Sequence, residues 1–169
     1  MKGVWAGLLC VVCCLAGAAT AQQPRIEKVE IVEAGLLEAR KVDSLATPGT
    51  ASGKTSVLDS IVFYELSRQV PARLGVQFGA RYRIVGTPDS APTSIRTKWV
   101  VPAPGMRNPL TGAVTEVDEA EESVMIGTDR LAGYKFGQEW EVVRGPWILE
   151  FWANGRKLNS VTFTVGNQP

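Results

Sequence analysis

The sequence predicts an all-β domain, an antiparallel sandwich of about seven or eight short strands that follows a signal peptide. Residues 75–85 alternate strictly between apolar and polar side chains, which is typical of a half-buried strand. Asn154-Gly155 separates two apolar runs, 147–153 and 156–165, as in a two-residue hairpin. Because the domain lacks the cysteine pair of a true immunoglobulin domain, we expect it to be immunoglobulin-like in architecture only.

Residues 1–21 have the three parts of a secretory signal. Lys2 is followed by an apolar run from Val4 to Ala16 and by the small residues Ala19-Thr20-Ala21, which signal peptidase accepts before its cut. Cleavage after Ala21 would leave one domain, 22–169, exported across the inner membrane to the periplasm or the medium. The alternative is an uncleaved anchor, since the segment is just long enough to span a bilayer.

Composition limits the chemistry of the exported domain. The chain has no histidine, and its three cysteines all precede residue 22. The domain therefore lacks a disulfide, a thiol nucleophile, a Ser-His-Asp triad and an ordinary zinc site. Its 17 basic side chains (18 less Lys2) equal its 17 acidic ones, which does not favour nucleic acid or anionic lipid as partners. What remains is carboxylate chemistry, the binding of a hard cation through oxygen atoms, or no chemistry at all, and we expect no cofactor.

The first third of the domain is harder to interpret. Alternation over residues 29–34 predicts a first strand that Gly35 ends. Residues 43–56 are small and polar and predict a loop; two of its glycines enclose three residues, where a nucleotide-binding P-loop needs four. Residues 56–70 have apolar side chains spaced as in a helix, but their β-branched and aromatic residues favour a strand.

The middle of the domain alternates strands with connecting segments: a turn (86–92), a strand (93–101), a loop (102–112), an acidic segment (116–122) with the residues that follow it (123–126), and a short strand (134–136). The loop contains three prolines and two glycines, which predict a surface connection of fixed shape rather than a regular element.

Three stretches resemble one known family. They are VPARLGVQFGARYRIVG (Val70–Gly86), PAPGMRNPLTG (Pro102–Gly112) and YKFGQEWEVVRGPWILEFWANGRKLNSVTFTV (Tyr134–Val165). Together they are similar to the bacterial exported proteins called domain of unknown function 3859. The resemblance implies a small envelope-associated domain with no assigned activity and no catalytic residues to carry over.

Four cations form a candidate binding face. If strands 75–85 and 93–101 pair through the intervening turn, Arg81 lies opposite Lys98. Arg83 then lies opposite Arg96, and like charges facing each other destabilise a sheet. Something negative is therefore expected nearby. It is either the acidic segment 116–122 or an anionic partner, such as an envelope polysaccharide or an acidic protein face.

Two further surfaces are candidates for recognition. The proline-rich loop, 102–112, would present Met106, Arg107 and Asn108 at its tip, at a low entropic cost of ordering. The alternative is a connection between the sheets that must simply be stiff. Trp152 shares a face with Glu150 and would lie on the outer surface, as a stacking platform for sugars or proteins; the alternative is packing under the loop.

These observations predict a non-catalytic exported domain that binds a protein or an envelope polymer. One alternative is a glycan hydrolase that uses carboxylates only, for which Glu139, Glu141 and Glu150 lie near the tryptophans in sequence. Another is a structural module of an envelope assembly.

Overall fold

The structure, a computed structural model, describes residues 23–51 and 53–167. The predicted signal peptide, 1–21, lies outside the described residues. Within them, no helix has the length and apolar character that crossing a membrane requires.

The described chain is all-β, as predicted. It forms eleven strands and one short 3-10 helix, Glu139–Glu141. The strands are β1 (Arg25–Ala46), β2 (Lys54–Glu65), β3 (Gln69–Pro71), β4 (Gln77–Thr87), β5 (Pro92–Val100), β6 (Met106–Arg107), β7 (Val114–Thr115), β8 (Val117–Met125), β9 (Asp129–Lys135), β10 (Gly145–Ala153) and β11 (Arg156–Gly166). Eight of these described strands have seven residues or more, which agrees with the predicted number.

Two sheets form the sandwich. Sheet 1 has the strand order β2-β1-β4-β9, and sheet 2 has the order β3-β11-β10-β5-β8. β6 and β7 form a separate two-stranded ribbon. Neighbouring strands are antiparallel except β3, which pairs in parallel with β11.

The core lies between the sheets and is rich in aromatic rings. The strict alternation of β4 turns Phe78, Tyr82 and Ile84 inward, and all three are fully buried. The Phe78 ring lies 5.3 Å from the ring of Trp99 on sheet 2 and 5.3 Å from that of Phe163. Each such side chain contributes about 1.5–3 kcal/mol when buried. Because residues 23–167 contain no cysteine, this core must hold the fold without a disulfide.

The predicted pairing of β4 with β5 is wrong. The connection between them, residues 88–91, crosses from sheet 1 to sheet 2, so Arg81 does not face Lys98. Period-two alternation shows only that each strand buries one face. It does not distinguish two strands lying side by side from two strands facing each other across the core, and here the Phe78 and Trp99 rings pack edge to face across it, with 77° between their planes.

The first strand is also longer than predicted. Gly35 does not end β1, which continues to Ala46 through several register shifts. A Cβ atom at position 35 would overlap the carbonyl oxygen of Glu65, so glycine permits a close approach between β1 and β2 at this bend. The predicted loop 43–56 shortens to residues 47–53. The strand predicted within 56–70 is confirmed in β2, and the helical interpretation is wrong.

The closing hairpin is confirmed. β10 and β11 pair from Gly145–Val165 to Ala153–Arg156. Asn154 and Gly155 both have positive φ, 51° and 72°, as a type I′ turn requires. Trp147, on the inner face of β10, is fully buried, as expected.

Candidate functional site

The four predicted cations separate onto opposite faces of the sandwich. Arg81 and Arg83 project from the outer face of sheet 1, and Arg96 and Lys98 from the outer face of sheet 2. The prediction of one basic face is therefore wrong, because β4 and β5 belong to different sheets.

The sheet 1 cations each contact a carboxylate on a neighbouring strand. The Arg81 Nε lies 2.6 Å from Glu33 Oε1, and its guanidinium lies 5.8 Å from the centre of the Phe63 ring. The Arg83 Nε lies 2.6 Å from Asp129 Oδ1, and this hydrogen bond lowers the pKa of the Asp129 carboxyl. These contacts bind β4 to its two neighbours in sheet 1.

On sheet 2, Arg96 lies in a row of side chains that crosses the sheet. The register places it between Glu121 of β8 and Trp152 of β10. The Arg96 Nη2 donates to Glu121 Oε2 at 2.8 Å. Hydrogen bonds from Arg96 and from Ser94 lower the pKa of Glu121. The expectation that the acidic segment neutralises these cations is thus confirmed for Arg96.

Lys98 occupies the adjacent row, between Glu119 of β8 and Glu150 of β10. Its Nζ lies 3.1 Å from Glu119 Oε2 and 5.3 Å from the centre of the Trp152 ring. Lys98 therefore has a carboxylate partner and a cation–π contact at the same time. The acidic segment neutralises this cation too.

The indole of Trp152 is held in place on the outer face. Its Nε1 donates to Glu150 Oε2 at 2.8 Å, and Glu150 Oε1 accepts from Lys157 Nζ at 3.0 Å. Although partial burial opposes it, hydrogen bonds from Lys157 and Trp152 hold the pKa of Glu150 below its usual value. The carboxylate that fixes the ring is therefore ionised at neutral pH.

Trp152 does not pack under the proline-rich loop. That loop follows β5 at the end of sheet 2 where Pro102 lies against Gly145. Trp152 lies near the other end of β10, next to the hairpin turn. The interpretation of Trp152 as an outer-face residue agrees with this geometry, and the packing alternative is wrong.

A cavity of about 370 Å³ opens beside this ring, and we call it the Trp152 cavity. Its volume is at the lower end of the range of small-molecule sites. Three of the predicted binding residues meet in it, together with five other residues from β5, β8 and the β10–β11 hairpin. The lining residues are Ser94, Arg96, Lys98, Glu121, Trp152, Ala153, Asn154 and Gly155.

The proline-rich loop differs from the prediction at Met106. Met106 begins β6 and is fully buried, with Tyr134 Oη donating to its sulfur at 3.2 Å. Arg107 is exposed and donates to the Gly112 carbonyl at 3.2 Å. Asn108 Oδ1 accepts from the Leu110 N–H at 2.9 Å. The exposed tip is instead Leu110, of which 93% is accessible. The error arises because β6 is only two residues long and so leaves little alternation in the sequence. Its pairing with β7 turns Met106 toward the core.

The burial of two carboxyl groups was not predicted. Asp118 Oδ2 accepts from the Ala51 N–H at 2.9 Å, which attaches the β1–β2 turn to the edge of sheet 2. Burial raises the pKa of Asp118, and the nearby Glu141 charge raises it further. Glu141 Oε2 accepts from the N–H groups of Gly137 and Gln138, at 2.6 and 3.0 Å. The alternation of β8 could have indicated that Asp118 is buried, because Asp118 lies on the same face of the strand as buried Val124.

A second cavity, of about 690 Å³, lies beside β1 and β2 and includes the exposed apolar side chains of Val62, Tyr64 and Leu74. It contains none of the predicted binding residues. The Trp152 cavity combines a fixed aromatic ring with oriented charged groups, so it is the stronger candidate despite its smaller volume. Among the described residues, no group of three or more His, Cys, Asp or Glu side chains is arranged to hold a metal ion.

The comparisons with known proteins agree with the fold and the resemblance. The family described as "Domain of unknown function (DUF3859)" matches residues 25–165. An immunoglobulin-like protein from Pseudomonas aeruginosa is similar in structure, with a TM-score of 0.52 and 22% identity over 87% of this chain and 99% of that one. A β-glucosidase from Listeria innocua matches with a TM-score of 0.34 and 7% identity over 78% of this chain and 16% of that enzyme, a likeness too weak to bear on activity. No curated protein matches the sequence.

Proposed function

The chain belongs to the DUF3859 family, and we propose that it is an exported, non-catalytic domain that binds a protein or an envelope polymer through the Trp152 cavity. One observation carries the proposal. Arg96, Lys98 and Trp152, each a candidate partner-binding residue from the sequence, line a single cavity around a fixed aromatic ring. Tryptophan and arginine are enriched among the residues that contribute most of the binding energy at protein interfaces.

Export is supported by the sequence before the domain. Residues 1–21 have the charge, the apolar run and the small residues of a cleavable signal. Fractionation of cells that produce the full chain tests this part. The domain should be found outside the cytoplasm with an N-terminus at Gln22, and a cytoplasmic full-length product would refute export.

A binding role without catalysis is supported by the state of the carboxyl groups. A glycosidase needs an acid and a second carboxylate about 5 Å or about 6.5–9.5 Å apart, both facing the substrate. Here Glu141 accepts two backbone N–H groups, and Glu150 accepts from Trp152 and Lys157. Both groups have structural partners on the protein itself.

Site-specific photo-crosslinking in intact cells tests the binding face. A photoreactive amino acid replaces Ser94, an exposed residue that lines the Trp152 cavity. The matched control carries it at Arg83, which is exposed on the outer face of sheet 1. We expect an adduct from position 94 and little or none from position 83.

Two outcomes would contradict the proposal. An adduct from position 83 alone would assign binding to sheet 1 instead. No adduct from either position, together with cleavage of an oligosaccharide panel by the purified domain, would replace the binding function with a hydrolytic one.

A further inference from the structure

The charges around the Trp152 cavity are already paired. The Arg96–Glu121 and Lys98–Glu119 contacts are 2.8 and 3.1 Å long, so each cation of the cavity has a carboxylate partner. An anionic ligand would have to displace one of these carboxylates or lie beside it, and like charges in contact are unfavourable. An uncharged ligand leaves both pairs intact.

The polar groups of the cavity are nevertheless suited to hydroxyl groups. Arginine carries five N–H donors in a planar fork, and the contact with Glu121 engages Nη2. Glu121 supplies acceptor oxygens, and Ser94 and Asn154 supply neutral groups at the cavity wall. A ligand with many hydroxyl groups can use donors and acceptors together, without a net charge of its own.

The aromatic ring adds an apolar surface of fixed orientation. Because Glu150 holds the indole Nε1 at 2.8 Å, Trp152 loses little side-chain freedom when a ligand stacks on it. A ring with an apolar C–H face and a hydroxylated edge matches this surface and its polar border.

We infer that the Trp152 cavity binds an uncharged saccharide, one sugar ring of which stacks on Trp152 while its hydroxyl groups bond to Arg96 and Glu121. This inference rests on the proposed function and names the chemistry of its ligand. It differs from the anionic partner expected from the sequence, because the structure neutralises each cation of the cavity internally.

Titration of the purified domain tests the inference. The probes are chitotetraose and cellotetraose, which are uncharged, and tetragalacturonate, which is anionic; binding is followed by NMR shifts of the backbone amides of Asn154 and Gly155, which line the cavity and are present in every variant. At least one uncharged probe should bind more tightly than the uronate. Trp152→Ala should weaken it about tenfold or more, and Trp152→Phe, which keeps a smaller ring, should weaken it less.

Tyr64→Ala is the matched control, because Tyr64 is an exposed aromatic residue of β2 in sheet 1. Its affinity for the probes should equal that of the wild type. Circular dichroism and thermal unfolding of each variant separate a lost contact from a lost fold.

Glu119→Gln tests the charge argument directly, because Glu119 does not line the cavity but pairs with Lys98, which does. It removes the carboxylate that pairs with Lys98, so tetragalacturonate should bind about tenfold more tightly than to the wild type. Affinity for the uncharged probe should change much less.

The outcomes separate the inference from the proposed function. If wild-type protein prefers the uronate, or if Tyr64→Ala weakens binding as much as Trp152→Ala, the inference is wrong. If no probe binds while position 94 still forms adducts with a protein in cells, the saccharide is refuted and the proposed function stands. If no probe binds and no adduct forms, both are refuted.

Discussion

Met106→Ala distinguishes the sequence-based view of the proline-rich loop from the structural one. If Met106 were presented at the loop tip, its truncation would change the free energy of unfolding by less than about 0.5 kcal/mol, as at most surface positions. The structure instead buries the side chain completely, beneath the hydroxyl of Tyr134. Truncation of a buried methionine to alanine costs about 2–5 kcal/mol.

The loss expected for Met106→Ala is a large fraction of the total free energy of unfolding. Domains of this kind have about 5–15 kcal/mol of stability. Sulfur is a weak acceptor, so the lost Tyr134 contact adds little, and the cavity left by the side chain accounts for most of the cost. At an m-value of about 2 kcal/mol/M, a loss of 3 kcal/mol lowers the urea midpoint by about 1.5 M.

Urea unfolding followed by tryptophan fluorescence and circular dichroism measures this loss. Leu110→Ala is the control from the same loop, since 93% of Leu110 is exposed, and it should leave the midpoint unchanged. Met106→Leu, which nearly conserves volume, should cost less than about 1.5 kcal/mol. A loss below about 1 kcal/mol for Met106→Ala, or an equal loss for Leu110→Ala, would refute the buried position of Met106.

Three further substitutions test other parts of the structure. Asp118→Asn keeps an acceptor for the Ala51 N–H but removes the titrating carboxyl group. Because burial raises the pKa of Asp118, the folded state binds its proton more tightly than the unfolded state, so the free energy of unfolding of the wild type should fall relative to that of the variant as the pH rises from about 4 to 7. Parallel pH profiles of the two proteins would contradict this. Asn154→Ala, at φ 51°, should cost about 1–2 kcal/mol in thermal or urea unfolding, whereas Asn154→Gly should cost almost nothing. Gly35→Ala should destabilise the domain by about 1–3 kcal/mol or prevent folding, because the new Cβ would overlap the Glu65 carbonyl oxygen. Gly166→Ala is the control, since a Cβ at position 166 would meet open space. Equal unfolding midpoints for the two variants would exclude the close approach of β1 to β2 at Gly35.

The parts of the fold that depend on neighbours in sequence could be predicted. The β10–β11 hairpin follows from Asn154-Gly155 between two apolar runs, and the inner face of β4 follows from its alternation. Strand pairing depends on residues far apart in sequence, and alternation carries no information about it. The same limit explains why Arg81 and Arg96 were assigned to one face, although they lie on opposite sides of the sandwich.

The candidate site shows the same division. Trp152 could be assigned to the outer face because it follows Trp147 and Phe151 in a strand whose phase was clear. Glu150, two residues earlier in the strand, could be assigned to the same face. Glu121 could not be assigned to this site, since it lies beside Arg96 only through the pairing of β8 with β5. Once β8 is known to be a strand, its period of two puts Glu119 and Glu121 on the same face and Asp118 on the other.

The pairing of charges also explains how the two outer faces can differ in function. On sheet 1, the cation–π contact of Arg81 is with Phe63, a half-buried ring that lines neither cavity, and the ion pairs of Arg81 and Arg83 link adjacent strands. On sheet 2, similar pairs surround an indole whose position is fixed by Glu150 and which borders a cavity. Exposed ion pairs contribute only about 0–1 kcal/mol each to stability, so their stabilising effect differs little between the faces. What distinguishes sheet 2 is that its ion pairs leave a neutral surface with oriented donors and acceptors beside an aromatic ring. A hydroxyl-rich ligand can form hydrogen bonds to such a surface, whereas a charged ligand would have to compete with the ion pairs.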